Sequence, residues 1–259
     1  EVYVAISDNV EDDAGNSISA SSATFTVNTI GAIDTTAPSI TFLPADSATD
    51  VDKDANITLT FNEAIRNKND SEITNSNVGS LITLKDNTSG NPIGFAASIN
   101  TAKTVITINP TSDFSSEQVI FVKIEASVED LYGNLITESS ATFTAEDTIA
   151  PTIVFDPKDL DNPVSVSSNI TLTFSEAIRK HDANNTTLTD TNVDALIILK
   201  DTDKDGATIA FNATIDTDKK IITINPDSNF SSEQTVYVAI EATVEDDSDN
   251  VITESFITL

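Results

Sequence analysis

Apolar residues fall on alternate positions along much of the chain. Ile57, Leu59 and Phe61 are separated by Thr58 and Thr60, and Ile120, Val122 and Ile124 continue the theme further on. A period of two in β-branched residues predicts half-buried antiparallel strands. Turn formers cut the pattern into short pieces: Pro44-Ala45-Asp46, Gly90-Asn91-Pro92, Asn109-Pro110 and Tyr132-Gly133-Asn134. The longest apolar runs, such as 119–122, are strand-length, well short of the ~18 residues that would span a bilayer. The polar stretches 69–80 and 182–195 predict loop or one short helical turn.

The pattern repeats roughly every 115 residues. Asn56-Ile57-Thr58-Leu59-Thr60-Phe61 returns unchanged as Asn169-Ile170-Thr171-Leu172-Thr173-Phe174, and Glu63-Ala64-Ile65-Arg66 as Glu176-Ala177-Ile178-Arg179. Phe114-Ser115-Ser116-Glu117-Gln118 matches Phe230-Ser231-Ser232-Glu233-Gln234. The end of a third copy opens the chain: Val10-Glu11-Asp12 aligns with Val128-Glu129-Asp130 and Val244-Glu245-Asp246. The length differences fall within 67–79 and 86–94, between strands, where insertions are tolerated. The reading is a partial repeat at 1–33, a full one at 34–146 and a nearly full one at 147–259.

About seven short strands in ~110 residues fit an immunoglobulin-like β-sandwich. The expected fold is therefore all-β, with tandem sandwiches of about seven antiparallel strands each, stacked end to end. Residues 1–33 hold only the last two strands of such a unit, and a lone hairpin is marginal in water. Upstream residues are expected to complete it, since Glu1 opens inside a strand pattern; the alternative is completion by another chain, as in a filament.

These residues carry a resemblance. Asp34-Thr35-Thr36-Ala37-Pro38, then Phe42-Leu43-Pro44-Ala45-Asp46, the 56–65 segment and the closing Val128-Glu129-Asp130-Leu131-Tyr132-Gly133-Asn134 resemble the bacterial Ig-like domain of the type named after the S-layer protein SbsA. The resemblance covers essentially the whole chain. It implies S-layers, adhesins or long repetitive surface proteins as the setting. Ser248-Asp249-Asn250 departs from the Gly133-Asn134 pattern, so a differently bent turn is expected there.

Charge narrows the picture. Asp and Glu number 42 against 13 Lys and Arg, a net charge of −29. Such a surface repels nucleic acid and anionic lipid and attracts divalent cations. Cys, Met and Trp are all absent. Domains of this size need no disulfides, and a chain without oxidisable sulfur suits an extracellular position.

Oxygen-rich clusters raise the question of Ca²⁺. Asp201, Asp203 and Asp205 alternate ahead of Gly206, as in loops that wrap Ca²⁺, but Asn212 stands where a bidentate Glu would close the loop. The plainer reading is a solvated acidic turn. At the repeat ends, Glu129 and Asp130 could converge with Asp147 on one ion, and Glu11 and Asp12 with Asp34. The competing reading has the Asp side chains bonding their own turn backbones. Glu63 and Glu176 are weaker candidates for the same ions. Arg66 and Arg179, the only arginines, are expected to pair with carboxylates and pin a loop within each repeat. His181, the only histidine, reads as a surface loop residue.

No Gly-rich, Ser-His or Cys-His constellation supports catalysis, so no enzyme activity is expected. The junction 144–151 lacks Gly and ends at Ala150-Pro151, which favours an extended, stiff linker. The expected function is a structural extender of an exported, extracellular surface protein or filament, its partners being neighbouring repeats and, in a filament or lattice, identical subunits. The alternative is an adhesive module using the variable loops 67–79 and 180–194.

Overall fold

The computed structural model describes residues 1–26, 34–159 and 163–259. Residues 27–33, where the partial repeat was expected to end, lie outside the described set. The described chain is almost entirely strand and loop, with single 3₁₀ turns at Val78–Leu81 and Val193–Leu196. Those turns sit in the two polar stretches read as loop or helical turn.

Repeat 34–146 is two sheets face to face. One runs in the order Ile40–Leu43, Ile57–Phe61, Val105–Pro110, Phe95–Ile99, antiparallel throughout. The other runs Ala48–Val51, Ser139–Ala145, Val119–Ile124, Ile82–Asp86. Here the expectation of antiparallel strands needs correcting, because Ala48–Val51 lies parallel to Ser139–Ala145. The chain crosses from the first sheet to the second between Leu43 and Ala48, so this strand meets the last one in the same direction. Repeat 147–259 reproduces the first sheet as Ile153–Asp156, Ile170–Phe174, Ile221–Pro226, Phe211–Ile215. Its second sheet is Ile197–Asp201, Val236–Ile240, Ser255–Thr258.

The alternation becomes burial. Ile57, Leu59 and Phe61 point into the core, and so do Ile170, Leu172 and Phe174, while Thr60 and Thr173 face out. The buried apolar side chains form two separate clusters. One draws on residues 57–145 and the other on 155–257, with no member in common. Each repeat thus has its own hydrophobic driving force.

Val2–Ile6 pairs antiparallel with Ser21–Phe25. It reads VYVAI, the same five residues as the strand Val236–Ile240, yet all five positions are exposed here and all five buried there.

If the two cores are independent, L172A should remove protection selectively. Truncating a fully buried Leu costs about 2–5 kcal/mol. Hydrogen exchange should accelerate at Ile222 and Ile224 and stay unchanged at Ile106 and Ile108; equal acceleration at both pairs would show one merged core.

Candidate functional site

The last hairpin of each copy closes on an Asp followed four residues later by Asn. Asp130 is fully buried, and a buried carboxylate must be matched by donors. Its Oδ1 accepts from the amides of Tyr132 (2.7 Å) and Asn134 (2.9 Å), and its Oδ2 from Asn134 Nδ2 (2.7 Å). Asp246 is held identically by the amides of Ser248 (2.8 Å) and Asn250 (2.9 Å) and by Asn250 Nδ2 (3.0 Å). Asp12 and Asn16 form the same turn in the partial copy. The turn needs a left-handed residue: Gly133 has φ 89° and Gly15 φ 84°. The different bend expected at 248–250 is not found, because Asp249 takes the position with φ 66°, a conformation Asp tolerates better than most residues.

The Asn amide reaches one group further. Asn134 Nδ2 also donates to the backbone carbonyl of Asp34 (2.9 Å), and Asn250 Nδ2 to that of Asp147 (3.1 Å). Each linker Asp is thereby drawn over the closing turn of the repeat it introduces. Glu63 and Glu176 come in from the end of the strands Ile57–Phe61 and Ile170–Phe174. Two carboxylate trios result, Asp34/Glu63/Asp130 and Asp147/Glu176/Asp246, with ligand oxygens in each all within 4.8 Å of one another.

Like charges this close must be accommodated. Burial pushes the Glu63 carboxyl above its ordinary value, and the neighbouring Asp34 and Asp130 push it further. For Glu176 burial again comes first, followed by repulsion from Asp246, Asp147 and Glu117. Burial also acts to raise Asp130, but the hydrogen bonds from Asn134, Tyr132 and Gly133 outweigh it and hold that carboxyl below its ordinary value.

The groupings differ from those read in the sequence. Asp130 joins Asp34, at the front of its own repeat, instead of Asp147 behind it. Asp147 joins Asp246 and Glu176. Glu129 is in neither trio: its Oε1 accepts from Arg66 Nε (3.1 Å), directly opposite it in the short ladder of Arg66–Asn67 with Val128–Glu129. Glu245 does the same with Arg179 and also meets His181 Nδ1. The arginines therefore do pair within their repeats. Glu11 and Asp12 lie on the exposed hairpin, apart from Asp34's trio. Asp201 and Asp203 are engaged as turn residues, whereas the Asp205 carboxylate is exposed beside Lys204 Nζ (3.9 Å). Asp201 Oδ1 accepts from Gln234 Nε2 (3.1 Å), and Asp203 Oδ1 from the Asp205 amide (2.9 Å). Gly206 is required there, because a Cβ would fall 1.5 Å from the Asp201 carbonyl oxygen.

The Asp147 trio sits against the preceding repeat. Ser116 Oγ donates to Asp147 Oδ1 (2.6 Å) and accepts from the Thr148 amide (2.9 Å). Ile149 N donates to the same carboxylate (3.0 Å). A cavity of about 380 Å³ beside it is lined by Thr49, Asp50 and Glu117 from one repeat and Asp247, Ser248 and Asp249 from the next. Sequence reasoning passed over Ser116, Asn134 and Asn250. Their signal was internal: Ser116 and Asn134 keep their identity in every copy that contains the position.

Chemically, three convergent carboxylates with unspent lone pairs suit a hard divalent cation with oxygen ligands. Without one, ionised Glu176 is a cost. A carboxyl raised above its unfolded value contributes stability that is full at low pH and is lost as pH rises through the raised value. E176Q is therefore expected to raise the melting temperature of its repeat by about 2 °C in chelator at pH 7. The difference should shrink as pH is lowered towards 4 and Glu176 takes up its proton. Thermal scans across that range decide it, and a destabilised variant at pH 7 would contradict the electrostatic account.

A search of curated proteins gives no match. Among solved structures, the N-terminal part of the bacterial S-layer protein SbsC aligns at 12% identity and TM-score 0.32, over 85% of this chain and 43% of that one. CopC from Methylosinus trichosporium OB3b aligns at 12% identity and TM-score 0.31, over 43% of this chain and 96% of that one. The BSP domain of a biofilm associated protein aligns at 13% identity and TM-score 0.23, over 86% and 29%. The chain thus spans less than half of the SbsC fragment. The assignment rests instead on the family profile for the bacterial Ig-like domain, which matches residues 34–145 and again 147–258. With two tandem matches covering most of its length, the chain belongs to the bacterial Ig-like domain family.

Proposed function

We propose that this chain is a structural extender of an exported cell-surface protein, a stiff run of sandwiches whose joint is locked by Ca²⁺. One observation carries the reading: Asp147 is held from both sides. Its carboxylate is bonded to Ser116 of the preceding repeat, and its carbonyl to Asn250 of the following one. A linker residue tied to both neighbours has little freedom to bend, so spacing along the chain is kept. Ca²⁺ at Asp147, Glu176 and Asp246 would cancel the repulsion that raises Glu176 and tighten the same joint. On the same reading, the matching trio at Asp34, Glu63 and Asp130 would hold a second ion one repeat earlier.

Surface location is supported by the family, by the net charge of −29 and by the lack of Cys. Among the described residues, no helix is long and apolar enough to cross a membrane. The adhesive alternative relies on loops 67–79 and 180–194. They contain no Phe, Tyr or Trp, and several of their Asn side chains are spent on backbone amides. Asn75 Oδ1 accepts from the Ile99 amide and Asn77 Oδ1 from that of Thr74, while Asn192 Oδ1 accepts from Thr189. Such loops are better built to hold shape than to bind, which favours the extender.

Small-angle scattering tests the reading. In Ca²⁺ the chain should give an elongated particle, about 80 Å or more for two sandwiches in line. Chelator should broaden its profile, and E176Q should respond less than the parent. A compact particle in both conditions would reject the extender, whereas a rod indifferent to chelator would reject only the cation lock.

A further inference from the structure

Charged residues make up 21% of the chain, yet in both repeats they avoid the outward face of the first sheet. Register across its four strands sets Leu43, Thr58, Thr107 and Ser98 side by side, with Thr41, Thr60 and Val105 in the next row. Asn109 and Ala96 close the face. All are exposed or half-buried, and none is charged. Repeat 147–259 keeps the register. Asp156, Thr171, Thr223 and Thr214 form one row, and Val154, Thr173 and Ile221 the other. The one charge among these is Asp156, at a corner. Among the described residues, the hydroxyls of Thr58, Thr107, Thr171 and Thr223 form no hydrogen bond within the chain. The second sheet differs. In repeat 34–146 its outward face carries Lys85 over the Phe121 ring and Lys123 paired with Glu125 and Glu138, and Thr142 Oγ1 is spent on Asp46.

Neighbouring repeats do not cover this face. Repeat 34–146 precedes repeat 147–259, yet Val154 stays 59% exposed and Ile221 38%. What the face lacks narrows its occupant. Without charges it has nothing to pair with an ionic ligand. It is a sheet surface and not a cleft, and it carries no aromatic ring, because Phe61, Phe95, Phe174 and Phe211 of the same strands pack on the core. A small molecule would find no concave apolar lining there. A second copy suits it better. Chains of net charge −29 repel one another, and least where both approaching surfaces are neutral. Rows of β-branched side chains also suit stacking of one sheet on another, ~10 Å apart.

We infer that the outward face of the first sheet is a lateral interface with a second copy of this chain, the Thr, Val and Ile side chains of one repeat packing on those of another. Each copy presents the same surface, so the contact is self-complementary. Four strands ~4.8 Å apart and ~17 Å long make a face of about 320 Å². Closing two such faces takes about 650 Å² out of water, below the ~1,000 Å² of a stable dimer. One pair of repeats therefore associates weakly, and affinity grows with the number of faces engaged at once. The inference goes beyond the extender reading, adding a side-to-side contact to an end-to-end line.

The test is a dilution series of the isotope-labelled full chain in chelator, followed by amide shifts from about 0.05 to 2 mM protein. Shifts that grow with concentration are expected at Thr58, Thr107, Thr171 and Thr223, and none at Lys85 or Lys123. Raising salt from about 0.05 to 0.5 M should strengthen association about threefold or more, because the remaining repulsion is screened. T107E combined with T223E puts a charge in the middle of each face and should weaken association about tenfold or more. S140E, on the outward face of the second sheet, should leave it unchanged. Shifts independent of concentration, shifts confined to the second sheet, or association that weakens with salt would overturn the interface. A folded T107E/T223E chain that associates like its parent would do the same. The mapping and the salt dependence come from the unaltered chain, so the outcome does not hang on the variant folding. Maltohexaose, a neutral sugar chain, should move none of these amides; shifts with it and none on concentration would assign the face to a glycan and sink the inference.

Discussion

A carboxylate taken out of water must be surrounded by donors, and in this chain that requirement shapes everything outside the cores. Asp130 and Asp246 are buried at the closing turn of each repeat. Two backbone amides and one Asn side chain satisfy each of them, and the same Asn amide has a second hydrogen to give. It goes to the carbonyl of the linker Asp. One buried charge thereby fixes the turn, orients the Asn and brings the linker to the end of the sandwich. The acidic trio follows from this arrangement. The Asn bridge thus helps to hold Asp34 and Asp147 beside two other carboxylates.

The fold was legible because its driving force is written in short-range alternation. Ile57, Leu59 and Phe61 are separated by threonines, and a period of two leaves only one way to bury all three. Recurrence of the same hexapeptide one repeat later marked the second core. The parallel strand Ala48–Val51 was not legible. Its direction is set by where the chain crosses between sheets, and its short polar sequence, Ala-Thr-Asp-Val, carries no alternation. The left-handed Asp249 was misread for a related reason. Gly is the usual solution at that angle, but the hydrogen bonds around Asp246 impose the turn whichever residue occupies it.

The candidate site was half legible. Carboxylates recurring at each repeat end were visible, but which of them meet was not. Residues adjacent in sequence, such as Glu129 and Asp130, point to opposite faces of an extended chain. Glu129 therefore reaches Arg66 across one ladder while Asp130 turns to Asp34 on the other side. Sequence proximity of Asp130 to Asp147 suggested a pairing across the joint. The actual link across the joint is Ser116, a small neutral residue with no distinguishing chemistry until its partner is in place.

The two identical VYVAI strands carry the argument a step further. In Val236–Ile240 the pentapeptide is sealed between two neighbours in its sheet and a facing sheet; in Val2–Ile6 it has one neighbour and lies open. The pentapeptide forms a strand in both places. The joints follow the same logic with charge in place of apolar area. Each repeat folds around its own core, but Asp147 acquires its environment only from the two repeats it connects. Each sandwich is held mainly by its apolar core, whereas the link between sandwiches depends on a few hydrogen bonds set among mutually repelling carboxylates. In a chain of net charge −29, that repulsion is screened within roughly 10 Å at ordinary salt.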